Sequence, residues 1–255
     1  MLKISFSKFI VRSKIFSRSC SVNDSKYAFE SLTEQERENI FERTMNLLKE
    51  ILSKASKSFL PDGYRAGGLY IQPFSSFKKY FDKYGIRYEF SVLKNAAGEL
   101  ENQNIQFNFS GVEKNIYRFS NDIVQEDKSG AYTQFALQFV DVPLVPRLLN
   151  SIFYRLFSKT ENHQMHGDGI STSNKIYSTA KNKFSSTETF SVEMLNEIKL
   201  PLYLKEAKQN NYLHLLSHPK LVSDYNLQQF DNLLKKLIAL GNTEFDFKKF
   251  ELAEQ

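Results

Sequence analysis

Residues 64–93, YRAGGLYIQPFSSFKKYFDKYGIRYEFSVL, decide the fold class. Tyr64 to Leu69 is short and apolar and carries the glycine pair Gly67–Gly68, the pattern of a buried strand that turns away at its end. Phe74, Phe77, Phe81 and Tyr84 then recur every three or four residues. That spacing stacks them on one face of a helix, with Gly85 placed to cap it in a left-handed conformation. Ile86 to Leu93 returns to a strand pattern. Strand, helix, strand in so few residues predicts an α/β fold whose working face lies at the C-terminal ends of the strands.

Working upstream, Thr33 and Glu36 form a capping-box pair, and Ile40, Leu47, Leu48, Ile51 and Leu52 repeat at helical spacing, which predicts a helix over 33–55. Pro61-Asp62-Gly63 marks the turn that follows. Downstream, apolar and polar residues alternate in Ile105 to Phe109 and again in Tyr132 to Phe139, so an antiparallel excursion of half-buried strands is expected near 100–140. Pro143 and Pro146 end it. An apolar helix is expected over 148–157, a polar loop or lid over 159–186, a helix over 192–209 and a buried strand over 212–217. His218-Pro219 forms the exit of that strand, and a last helix is expected over 226–240.

Composition bounds the function. The 255 residues are 41% hydrophobic and 25% charged, with 23 Phe and 13 Tyr, so the chain has a core to bury and is not disordered. No apolar run reaches the roughly 18 to 20 residues of a transmembrane helix. Cys20 is the one cysteine, which excludes an internal disulfide framework and a cysteine zinc site. The net charge of +5 is local: Lys3, Lys8, Arg12, Lys14 and Arg18 lie among the first 23 residues with no acid, and the remainder balances to zero. A neutral body argues against nucleic-acid binding. The basic, Ser-rich start suits an organelle transit peptide or a segment resting on an anionic membrane surface. Ser5, Ser7, Lys8 and Arg12 break any secretory h-region. The expectation is therefore an unstructured leader over 1–32, a domain over 33–250 and a cytoplasmic location.

Few residues carry recognisable chemistry. Arg65 beside Gly67 and Gly68 offers a planar cationic fork where the backbone can approach a ligand, a geometry suited to a carboxylate; an ordinary ion pair is the plainer reading. His218 follows an apolar run and precedes a proline, which places an imidazole at a strand end, where it can act as general acid or base or simply pack. His214 and His218 spell H-x-x-x-H, but along a strand they stand roughly 13 Å apart, too far to share a metal. His163, His166 and Asp168 are a second candidate metal set, in a segment whose plainer reading is a flexible polar loop. Nucleophile elbow, P-loop and dinucleotide fingerprints are absent.

The set Tyr64-Arg-Ala-Gly-Gly-Leu-Tyr-Ile-Gln-Pro73, Ile86-Arg-Tyr-Glu-Phe-Ser-Val92 and Leu215-Leu-Ser-His-Pro-Lys220 resembles the C-terminal half of polysaccharide deacetylases of the NodB type, from about Glu34 to Phe250. The resemblance implies a distorted or partial (β/α) barrel and metal-dependent hydrolysis of N-acetyl groups on cell-surface or extracellular glycan precursors. It assigns His218 as the acid and Arg65 as the orienting arginine, with Gly67, Gly68 and Tyr70 toward the carbohydrate. A divalent metal, zinc or similar, is implied as cofactor. The Arg65-Ala-Gly-Gly element departs from the family's commoner Arg-x-Pro-aromatic, and no Asp-Asp or His-x-x-x-His metal element precedes Thr33. The resemblance thus implies a chain that starts late or is inactive, the other reading being a noncatalytic glycan-binding module. Strand edges left open by an incomplete barrel would call for an oligomer or a covering partner.

Overall fold

The computed structural model describes residues 3–5, 29, 32–54, 61–100, 105–157, 160–165, 175–178, 185–210 and 212–241. In chain order the elements are β1 (Lys3–Ser5), α1 (Glu34–Ser53), β2 (Gly63–Tyr64), α2 (Ser75–Tyr84), β3 (Tyr88–Glu89), β4 (Ala96–Leu100), β5 (Ile105–Asn108) and β6 (Ile116–Phe119). They continue with β7 (Tyr132–Phe135), β8 (Phe139–Pro143), α3 (Leu144–Phe157), β9 (Lys175–Ser178), β10 (Ser185–Thr189), α4 (Leu200–Asn210), β11 (Tyr212–His214) and α5 (Asp224–Ala239). The architecture is mixed α/β. It divides into two compact units, one of Ser7–Ala136 with Ser173–Thr179, the other of Met1–Phe6, Leu137–Thr172 and Ala180–Gln255. Sequence reasoning placed 33–250 in one domain.

The first unit is built on aromatic packing. Thr33 Oγ1 accepts from the Glu36 N–H at 3.2 Å while the Glu36 carboxylate accepts from the Thr33 N–H at 2.8 Å, so α1 starts on a complete capping box. Gly85, at φ 72°, ends α2 in the left-handed conformation that the sequence anticipated. A four-stranded sheet in the order β2-β3-β7-β6 has its first three strands parallel and β6 antiparallel at the edge, with α2 crossing from β2 to β3. Phe41 of α1 stacks on Tyr80 of α2 at 4.4 Å, Tyr64 of β2 meets Phe81 at 5.4 Å, and Phe74 meets Phe119 and Tyr132 edge-on. Burying such rings, each worth roughly 2–3 kcal/mol in transfer terms, welds both helices to one face of the sheet. A separate antiparallel sheet, β5-β4-β9, completes the unit.

The second unit has a largely aliphatic core in which Val140 and Val142 of β8, Leu195, Leu213 of β11, and Leu233 and Leu237 of α5 pack with Phe190 and Tyr203. β8 pairs antiparallel with β10, and β1 pairs parallel with β11.

Several expectations change. The described strands form four small sheets, and no closed barrel is present among them. Strand structure over 64–69 stops at Tyr64, because Gly67–Leu69 wind into a 3-10 turn with Gly68 at φ 63° and Leu69 at φ 65°. β7 was expected half-buried, yet all four of its residues are buried, since it lies inside the sheet with β3 and β6 on its flanks. The helix expected from 192 begins at Leu200: Asn196 Oδ1 accepts from the N–H groups of Ile198 at 3.1 Å and Lys199 at 3.0 Å, closing a turn just ahead of Pro201. The 159–186 segment contains a 3-10 turn at Glu161–His163, the strand β9 and the start of β10. Of the leader, Lys3–Ser5 form β1, and the rest up to residue 28 lies outside the described residues.

Candidate functional site

In the second unit, backbone pairing brings one imidazole and one carboxylate together. Residues 190–192 run parallel to 215–217: the Leu216 N–H donates to the Phe190 carbonyl at 2.8 Å and the Val192 N–H to the Leu216 carbonyl at 2.9 Å. Both chains continue past this bridge, and Pro219 turns the second away immediately after His218. Glu193 and His218 therefore meet. His218 Nδ1 lies 2.5 Å from Glu193 Oε1, and the His218 backbone N–H donates to Glu193 Oε2 at 3.3 Å. Only 9% of the Glu193 side chain is exposed, against 34% for His218.

The backbone that carries Glu193 is held by the start of α5. Ser223 and Asn226 form a capping box there, and Asn226 Nδ2 donates to the carbonyls of Glu193 at 3.3 Å and Leu195 at 3.2 Å. With Glu193 accepting at Nδ1, the neutral ring carries its proton there and leaves Nε2 as the nitrogen that can take up or release a proton. This pair can perform general acid–base chemistry.

Arg65 lies in the first unit. It is half-buried one residue beyond β2, with Gly67, Gly68 and Tyr70 also partly buried in the 3-10 turn that follows. The next residue reveals the polar centre of that unit: the Ala66 N–H donates to Ser91 Oγ at 2.6 Å, the Ser91 hydroxyl bonds to Glu89, and the Ser91 N–H donates to Glu89 Oε2 at 2.7 Å. Glu89 is fully buried. Registry places Tyr64, Glu89, Gln134 and Tyr117 directly opposite one another across the four strands, so their side chains share one face. Burial pushes the Glu89 carboxyl up to about 7, partly offset by the Ser91 bonds and the neighbouring Gln134. The Gln134 carboxamide also lowers the acid from hydrogen-bonding range, although neither its nitrogen nor its oxygen meets strict hydrogen-bond geometry among the described residues.

His163 Nδ1 lies 2.6 Å from Thr160 Oγ1 and its ring stacks on Tyr225 at 4.2 Å, so Nδ1 is engaged, while Nε2 is buried with no hydrogen-bond partner among the described residues. His166 and Asp168 lie outside the described residues. Among the described residues no group of three His, Cys, Asp or Glu side chains could hold a metal ion. His214 is buried inside β11.

Sequence reasoning found His218 and Arg65, which fall in different units, and missed Glu193, Asn226 and Glu89. Glu193 and Asn226 gave no local signal, because each is defined by a contact 25 or 33 residues away. Glu89 did give one: a single acid inside the apolar run Ile86 to Val92. No family model, curated protein or solved structure matches the chain.

Proposed function

We propose that this chain is a polysaccharide deacetylase-like hydrolase that removes N-acetyl groups from glycans, with His218 as its proton donor. The observation that carries this reading is the Glu193–His218 pair at 2.5 Å, with the carboxylate buried and the imidazole half-exposed. In amide hydrolysis, water oxygen bonds to the acetyl carbon, the C–N bond breaks, and the departing nitrogen needs a proton before it can leave as an amine. His218 Nε2 supplies that proton and regains one from the incoming water. Glu193 keeps the ring oriented and offsets its charge while it is protonated. The finer barrel architecture of the deacetylase family belongs to this proposal as well. Arg65 is assigned no step, and none is routed through a metal.

Incubating the purified protein with N-acetylglucosamine oligosaccharides and an added divalent cation, and measuring free acetate, tests the reading. Acetate release that is lost in His218→Ala supports it. Oligosaccharide binding with no acetate from the wild type replaces it with the glycan-binding module, and neither activity nor binding removes both.

A further inference from the structure

Helix α3 packs on its own unit through one side. Asn150 accepts from Asn196 Nδ2 at 2.5 Å, and the Phe153 ring meets those of His163 and Tyr225 at 5.7 and 5.6 Å. On the opposite side Val145, Leu148, Leu149, Ile152 and Leu156 are exposed, Val145 and Leu156 at 66% each. Their three- and four-residue spacing makes them one continuous stripe along the helix. Scattered exposed leucines are ordinary, but a contiguous stripe of this kind marks an interaction surface.

Charge decides what fits it. The helix itself holds Arg147 and Arg155, both exposed, and no acid, with the exposed acids Asp141 and Glu161 lying beyond its two ends. A second copy of α3 laid against the first would bring like charges together with no carboxylate on either helix to pair them, a destabilising arrangement. A surface with an apolar interior and anionic headgroups answers both features, since arginine stems can lie along the apolar layer while the guanidinium groups reach phosphate. The helix has 14 residues. At about 1.5 Å per residue it is far shorter than the ~30 Å hydrocarbon core, so it lies in the plane of the interface. Among the described residues no helix is long and apolar enough to cross a membrane.

We propose that α3 docks this protein on the surface of an anionic lipid membrane, through the Val145–Leu156 stripe and the exposed arginines of the same helix. The proposal is independent of the hydrolase reading. Its test is sedimentation of the full-length protein with phosphatidylcholine vesicles, with and without phosphatidylglycerol, alongside Leu149→Asp/Ile152→Asp and Arg147→Glu/Arg155→Glu variants whose folding is verified by near-UV circular dichroism. Wild type should partition onto the anionic vesicles, and both variants should bind at least about tenfold more weakly. Undiminished binding by the variants overturns the proposal and assigns the affinity to the basic leader. Failure of the wild type to bind also overturns it. A wild-type dimer that the Asp variant converts to monomer, without vesicle binding, gives the stripe to a second copy of the chain.

Discussion

Each unit buries one glutamate beside a short polar network, and the two are handled in opposite ways. Glu89 sits under aromatic rings, bonded to the neutral Ser91, and its carboxyl is pushed up to about 7 by burial. Glu193 is almost as enclosed, but it bonds to an imidazole that reaches toward solvent. The contrast is one of partners: the first acid is tolerated because it can stay protonated among neutral groups, and the second orients an imidazole that reaches toward solvent.

The sharpest way to break this contrast is to exchange the roles. His218→Ala should lower acetate release by about a thousandfold or more while leaving the fold intact, whereas Glu89→Gln should leave the rate within a few fold. The reverse result would move the chemistry to the first unit. In stability the largest effect should come from the aromatic layer: Phe81→Ala is expected to cost about 3–5 kcal/mol in urea denaturation, because the ring is fully buried between Tyr64, Phe74 and Tyr132.

Glu89 should make the stability of the protein depend on pH. Its carboxyl is raised from 4.5 to about 7 in the fold, so the folded state favours the protonated form. Its contribution is complete below about pH 4.5 and is lost as pH rises through 7, a change on the order of 3 kcal/mol. Compared by denaturation at pH 4 and pH 8, wild type should lose about that much relative to Glu89→Gln, which does not titrate. Parallel pH profiles for the two proteins would show that Glu89 is charged and paired in the fold.

Smaller effects test how each unit is held. Glu193→Gln should keep the hydrogen bond but weaken the support for the imidazolium, lowering acetate release about 10- to 100-fold with little change in KM. Thr33→Ala at α1 and Ser223→Ala at α5 each remove a cap and should each cost about 1 kcal/mol. Only Ser223→Ala should also reduce activity, because Asn226 of the same capping box holds the Glu193 backbone. Equal activity in the two cap variants would separate the dyad from the start of α5.

What could be read from the chain alone is what lies within one or two helical turns. The Thr33–Glu36 box, the αL cap at Gly85, the amphipathic face of α2 and the release of the chain at His218-Pro219 are short-range patterns, and the mixed α/β class follows from them. The strands were harder, since β2 and β3 have two residues each and are fixed by their partners more than by their own propensity. Which carboxylate faces His218, which acid is sealed beneath the aromatic layer, and which face of α3 is left bare were decided by tertiary structure. Each depends on contacts between residues distant in sequence, and one chain records no pairing energy between positions that meet only after folding.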